Sequence, residues 1–216
     1  MSAADRGPDD APPNPEPGQP SDEWLLWREA RLREEAEAVA TDLKLSEQFG
    51  HLGDPVWVGS AALGLMVRPD LDITVACQEL DESAVVALSG LFALQLYVRQ
   101  VTYRDDTAMW NDEPETYPDG LYLGLKYCRD PEREWNLDIW FVDEPDRQPD
   151  LAHLRTLAPR LDHERRVAIL RIKDQWARRP EYGGSVRGFD VYTAVLDDGV
   201  RTPSEFERWL MARIRT

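Results

Sequence analysis

The spacing of apolar residues changes character along the chain. From Ser21 onward, Ser21-Asp22-Glu23-Trp24 offers a cap followed by acids, and Leu25, Arg28, Leu32 and Ala36 continue at helical spacing. This predicts a helix running to about Glu47, with room for a break. Short β-branched and aromatic runs then appear at Val56 to Val58, Leu71 to Cys77, Tyr97 to Tyr103, Leu121 to Cys128 and Asn136 to Val142. They read as strands, and Glu82 to Leu94, between the second and third, reads as a helix. Beyond Pro149 the strand signal stops. Leu151 to Arg178, Arg187 to Leu196 and Ser204 to Arg215 read as helices, parted by RRPEYGGS and DDGVRTP. The pattern predicts an α+β chain: a mixed sheet flanked by helices over 22–148, then a helical C-terminal region over 149–216.

Two positions break the apolar rhythm of the strands. Side chains alternate between strand faces, so Asp70 and Asp72 emerge together while Leu71, Ile73 and Val75 point the other way. Like charges that close repel unless a proton or a cation intervenes, and a hard divalent cation with oxygen ligands, Mg²⁺ first, is the usual compensation. Asp138 stands in the same setting, between Leu137 and Ile139. Three strand-borne carboxylates on one sheet face can hold two metal ions and activate a hydroxyl for in-line attack on phosphorus. For a lone D-x-D, a strand end facing water would be the simpler account.

Composition narrows the partners. With 41 Asp and Glu against 25 Lys and Arg, the chain carries a formal charge of -16. That argues against affinity built on neutralising nucleic-acid phosphates and favours a small, cationic or metal-carried ligand. The segment 151–187 runs against this trend with nine Lys or Arg and four Asp or Glu, a sum of 9 - 4 = +5. It reads either as an amphipathic helix whose bases pair with neighbouring acids or as an anion-binding face. Cys77 and Cys128 have no metal or disulfide spacing, and His51, His153 and His163 have no ligand spacing. No apolar stretch approaches a membrane span, and the N-terminus lacks the order of a signal peptide, so a cytoplasmic protein is expected. Residues 1–21, with six prolines, are expected to be disordered.

Gly59-Ser60 adds a further element, because a small turn after the first strand lets backbone N–H groups and a hydroxyl approach a phosphate at a helix N-terminus. Together, Val58-Gly59-Ser60, Asp70-Leu71-Asp72-Ile73 and Leu137-Asp138-Ile139 resemble the motif of the polymerase-beta-like nucleotidyltransferase superfamily, over roughly Val56 to Val142. The resemblance implies a nucleotidyltransferase-like domain over 22–148. It implies that Asp70 and Asp72 bind metal, that Asp138 completes the second site or acts as base, and that Ser60 touches the triphosphate. Arg68-Pro69 departs from the small polar residue many members carry there, and Arg68 pairs either with a phosphate or with an acid. Arg166 and Lys173, seven apart on one predicted helix, are further nucleotide candidates. Lys126, with Tyr122 and Gly124 on its strand face, reads either as a phosphate contact or, the commoner case, as a surface lysine.

The expectation is a metal-dependent enzyme with two Mg²⁺ ions. It would move a nucleoside monophosphate from an NTP, ATP first, to an acceptor and release pyrophosphate. The acidic balance favours a small-molecule acceptor, as in the aminoglycoside-modifying relatives, and makes nucleic acid the less favoured partner, with protein or RNA acceptors left open. The competing reading is a non-catalytic nucleotide- or partner-binding protein of the same fold.

Overall fold

The computed structural model describes Pro12 and residues 20–214. Apart from Pro12, Pro20 and Ser21, the stretch expected to be disordered lies outside the described residues. The long N-terminal helix is α1 (Asp22–Asp42), and the Ser21 hydroxyl caps it by accepting from the Trp24 N–H at 3.2 Å. Lys44, in the left-handed region at φ 53, makes the break, and α2 (Leu45–Phe49) follows. Next come β1 (Gly53–Trp57), α3 (Gly59–Leu63), β2 (Asp70–Cys77), α4 (Glu82–Ala93), β3 (Val98–Asp106), β4 (Gly120–Asp130) and β5 (Arg133–Val142). The remaining helices are α5 (Pro149–Leu157), α6 (His163–Trp176), α7 (Gly188–Leu196) and α8 (Pro203–Ile214).

One expectation fails in the helical part. The single helix predicted over Leu151 to Arg178 is two, because Pro159 interrupts the ladder and Asp162 caps a new start, accepting from the Arg165 N–H at 2.8 Å. None of the described helices is long and apolar enough to cross a membrane.

The chain packs as two compact units. Among the described residues, one holds 34–63 and 69–158, the other 20–33, 64–68 and 159–214. The first contains the sheet, ordered β1-β2-β5-β4-β3, with only the β2–β5 pair parallel. Pro55 is tolerated because β1 is an edge strand, where a missing N–H interrupts no inner ladder. Leu71, Ile73, Val75, Leu137, Ile139, Phe141, Leu121, Leu123 and Leu125 share one face and are buried. Phe49 of α2 meets Phe92 of α4 and Phe141 edge-on, at ring-centroid distances of 6.1 and 5.7 Å. Each such fully buried side chain contributes about 1.5–3 kcal/mol relative to exposure. With the core committed to this face, the alternate residues of β2, β5, β4 and β3 form the opposite one.

The second unit is helical. Val167, Ala168, Ile169, Leu170, Ile172 and Trp176 bury much of α6, and the Trp176 ring stands edge-on to Phe206 at 5.2 Å. The buried Asp174 carboxylate accepts from Arg28 and, at 3.2 Å, from Arg178.

Candidate active site

The carboxylates gather as the alternation predicts. In the parallel β2–β5 pair Asp72 lies opposite Asp138 and Asp70 opposite Asn136, on the face turned away from the core. Parallel neighbours are about 4.8 Å apart, so the three acids occupy adjacent positions on two strands. The turn bearing Gly59 starts beside them, since the Val58 N–H donates to the Asp72 carbonyl at 3.0 Å. Gly59 itself has φ +58, and a Cβ there would run into the Asp72 carboxylate, whose Cγ would lie 3.1 Å away. Glycine is therefore required twice over, for its backbone conformation and for the side chain packed on it. Ser60 is half-buried in the first turn of α3. That helix has only five residues, so it is the backbone N–H groups and the Ser60 hydroxyl, rather than a long helix dipole, that suit an anion here.

Asp138 has a second neighbour on its other side. In the antiparallel β4–β5 pair it faces Gly124, and Tyr122 faces Trp140. The Tyr122 hydroxyl nonetheless donates to Asp138 Oδ1, reaching one pair along by laying its ring over Gly124. A Cβ on Gly124 would sit 2.5 Å from that hydroxyl and 3.0 Å from Cζ. The ring is held by Trp140, at a centroid distance of 5.2 Å, and by the Arg104 guanidinium, 4.9 Å above it. Arg104 is forked onto Asp106 through two 2.8 Å hydrogen bonds. Burial, then the bond to Asp138, pushes the Tyr122 phenol well above its ordinary range, so it is a donor at neutral pH.

No protein-family model matches the sequence, and no curated protein matches it. Among solved structures, the chain is similar to a cytoplasmic RNA terminal U-transferase, with a TM-score of 0.50 and 15% identity over 76% of this chain and 45% of that one. It is also similar to Cid1, solved in complex with its short product ApU, with a TM-score of 0.52 and 14% identity over 77% of this chain and 48% of that one. The chain has the polymerase-beta-like nucleotidyltransferase fold. It spans less than half the length of either neighbour.

Within this nucleotidyltransferase fold the acidic face has the donor chemistry a hard divalent cation takes: oxygen ligands only, from residues in register on neighbouring strands. Among the described residues, no three His, Cys, Asp or Glu side chains are already drawn into a ready ligand shell. What the structure supplies is the backbone placement of Asp70, Asp72 and Asp138, with Asp72 packed on Gly59 and Asp138 tied to Tyr122.

Arg68, Arg166 and Lys173 belong to the helical unit, whereas Gly59, Ser60, Asp70, Asp72 and Asp138 belong to the sheet unit. The Arg68 guanidinium lies 5.5 Å from the Tyr182 ring centroid. Arg166 donates to the Gly64 carbonyl at 2.8 Å, and the buried Lys173 to the Leu65 carbonyl at 2.7 Å and the Tyr192 hydroxyl at 3.2 Å. Arg28 adds a 2.7 Å bond to the Val67 carbonyl, so three cations clasp the backbone of residues 64–68. Burial lifts the Glu29 carboxyl above the usual range, against the pull of Arg166, Arg33 and Lys173. The basic segment is largely paired: Arg160 with Asp197 at 2.5 Å, Arg165 with Asp162 at 3.0 Å, and Arg171 and Arg179 with Asp22 and Glu207. Lys126 pairs with Glu134 at 2.9 Å.

Sequence reasoning missed the contributions of Tyr122, Gly124, Trp140 and Arg104 to the acidic face. The available signal was Tyr-x-Gly, which puts a phenol and a glycine on one strand face. Only the β4–β5 register shows that this is the face of Asp138.

Proposed function

We propose that this chain is a metal-dependent nucleotidyltransferase, moving a nucleoside monophosphate from an NTP to an acceptor hydroxyl and releasing pyrophosphate. The observation that carries the reading is the register of Asp70, Asp72 and Asp138 on the open sheet face, with Gly59 shaped around Asp72. Asp70 and Asp72 would hold Mg²⁺, with Asp138 completing a second position. The bound ions would supply charge neutralisation of the triphosphate. Ser60 and the N–H groups of its turn would bind phosphate oxygens, and Asp138 would take the proton of the attacking hydroxyl.

For the acceptor, one solved neighbour is an RNA terminal U-transferase and the other carries the product ApU. These favour an RNA end over the small cationic acceptor expected from charge, for which the comparisons give no support. With a net charge of -16 and the bases of 151–187 largely paired, such an RNA would be held at its terminus rather than along its backbone. Transfer should therefore depend only weakly on salt.

The test supplies Mg²⁺, each α-labelled NTP in turn, and either a short RNA or an aminoglycoside, with Asp138→Asn as control. Label on the RNA that disappears in the variant supports the reading. Label on the aminoglycoside alone keeps the chemistry and overturns the RNA acceptor. A melting temperature raised by Mg²⁺ and NTP without transfer would mean a nucleotide-binding protein, and no response to either would defeat both readings.

A further inference from the structure

The geometry points to Tyr122, with Gly124 as its clearance, as a positioning residue that fixes the Asp138 carboxylate for cation binding and for transfer. The inference rests on the nucleotidyltransfer reading of the same face. A carboxylate on an aspartate turns easily about its last torsion, whose rotamer wells are broad. A single hydrogen bond restrains that rotation only if the donor is itself immobile, and here it is. The Tyr122 ring is flanked by Trp140 at 5.2 Å and covered by Arg104 at 4.9 Å, and Arg104 is anchored on Asp106.

The sequence makes room for this reach at a cost. Glycine in a strand interior weakens the strand and offers no side chain to pack. Gly124 nevertheless sits in an inner strand, opposite Asp138 of β5 on one side and Thr102 of the edge strand β3 on the other. Its position is explained by the crossing: Tyr122 is paired with Trp140, so its hydroxyl reaches Asp138 only by passing over the Gly124 backbone. With Oδ1 of Asp138 committed to the phenol, Oδ2 is left as the oxygen for a cation or an incoming proton. Gly59 leaves room for the Asp72 carboxylate as Gly124 leaves room for the Tyr122 phenol.

The experiment compares wild type with Tyr122→Phe, Gly124→Ala and Asp138→Asn. It measures Mn²⁺ binding to the NTP-free protein by electron paramagnetic resonance, kcat and KM for NTP with an RNA acceptor, and the melting temperature. Loss of an outer partner of a metal-binding carboxylate lowers affinity or activity about 10- to 100-fold. Tyr122→Phe should therefore weaken Mn²⁺ binding and lower kcat by at least about 10-fold, with KM for NTP nearly unchanged and the melting temperature near wild type. Gly124→Ala keeps the hydroxyl but displaces it, and should reproduce this pattern. The double variant Tyr122→Phe/Asp138→Asn should be no worse than Asp138→Asn alone. If Tyr122→Phe binds Mn²⁺ and turns over like wild type while Asp138→Asn is inactive, the positioning role is overturned and the reading of Asp138 stands. If Asp138→Asn also behaves like wild type, both fall.

Discussion

Gly59→Ala is the sharpest probe of the acidic face, because two separate penalties meet at one atom. The first is conformational: φ is +58, and placing an L-residue in that left-handed region costs about 1–2 kcal/mol. The second is steric, since the new methyl would overlap the Asp72 carboxylate, with Cγ at 3.1 Å and Cβ at 3.3 Å. Forcing extra volume into a packed position costs about 1–3 kcal/mol. The sum is about 2–5 kcal/mol of lost stability, readable as a lower urea midpoint at unchanged slope. A double-mutant cycle separates the parts. In an Asp72→Ala background the carboxylate is gone, so the same glycine replacement should cost only the conformational share, leaving a coupling of about 1–3 kcal/mol between the positions. A Gly59→Ala protein within about 0.5 kcal/mol of wild type, or equal costs in both backgrounds, would refute the close packing of the turn on Asp72.

Other outcomes follow from the same arrangement. Asp70→Asn and Asp72→Asn should abolish nucleotidyl transfer while preserving or raising the melting temperature of the metal-free protein, because each relieves like-charge repulsion; a fall of several degrees without metal would mean that these carboxylates hold the fold. Lys173→Met should cost about 1–3 kcal/mol in urea unfolding, since the buried Leu65 carbonyl loses its donor; an unchanged midpoint would show that the clasp does not stabilise the unit. Tyr127 donates to Asp42, and burial first, then that carboxylate, pushes its phenol up to about 12. A folded-state value raised above the unfolded one gives stability that is intact below pH ~10 and lost as pH rises from ~10 to ~12. Chemical denaturation across that range should show a shallower loss in Tyr127→Phe than in wild type, and equal slopes would remove Tyr127 as a source.

Much of the sheet was legible because a strand buried on one face must alternate, and β2 does so from Asp70 to Ile73 and β5 from Glu134 to Phe141. The same period that marked Leu71, Ile73 and Val75 as core assigned Asp70 and Asp72 to the other side, and the register with β5 then put Asp138 opposite Asp72. Gly59 was legible as a turn residue but not as the bed of a carboxylate, which depends on how β1 and β2 approach. Tyr122 was hidden for a similar reason: its partner lies 16 residues away on another strand, diagonal to its own pairing. In the helical part, Pro159 and the Asp162 cap were visible signals overridden by a long run of helix-compatible residues. The cations of α6 were read from helical spacing alone, as a face for an anion. A buried lysine can equally answer backbone carbonyls, and nothing in the local pattern tells whether residues 64–68 will supply them.

The clasp on residues 64–68 also has a consequence in time. Gly64 and Leu65 are held by side chains 102 and 108 positions later in the chain. At about 5–20 residues per second of synthesis, their partners leave the ribosome on the order of 5–20 seconds after them. Through that interval Leu65, Met66 and Val67, all buried in the finished protein, have Arg28 of α1 as a partner but lack α6. They form a short apolar window just ahead of Asp70, the kind of exposed segment a nascent-chain chaperone would bind. Slowing translation downstream of residue 68 should lengthen that exposure, and with it the chance that β2 pairs before its flanking segment has found its place.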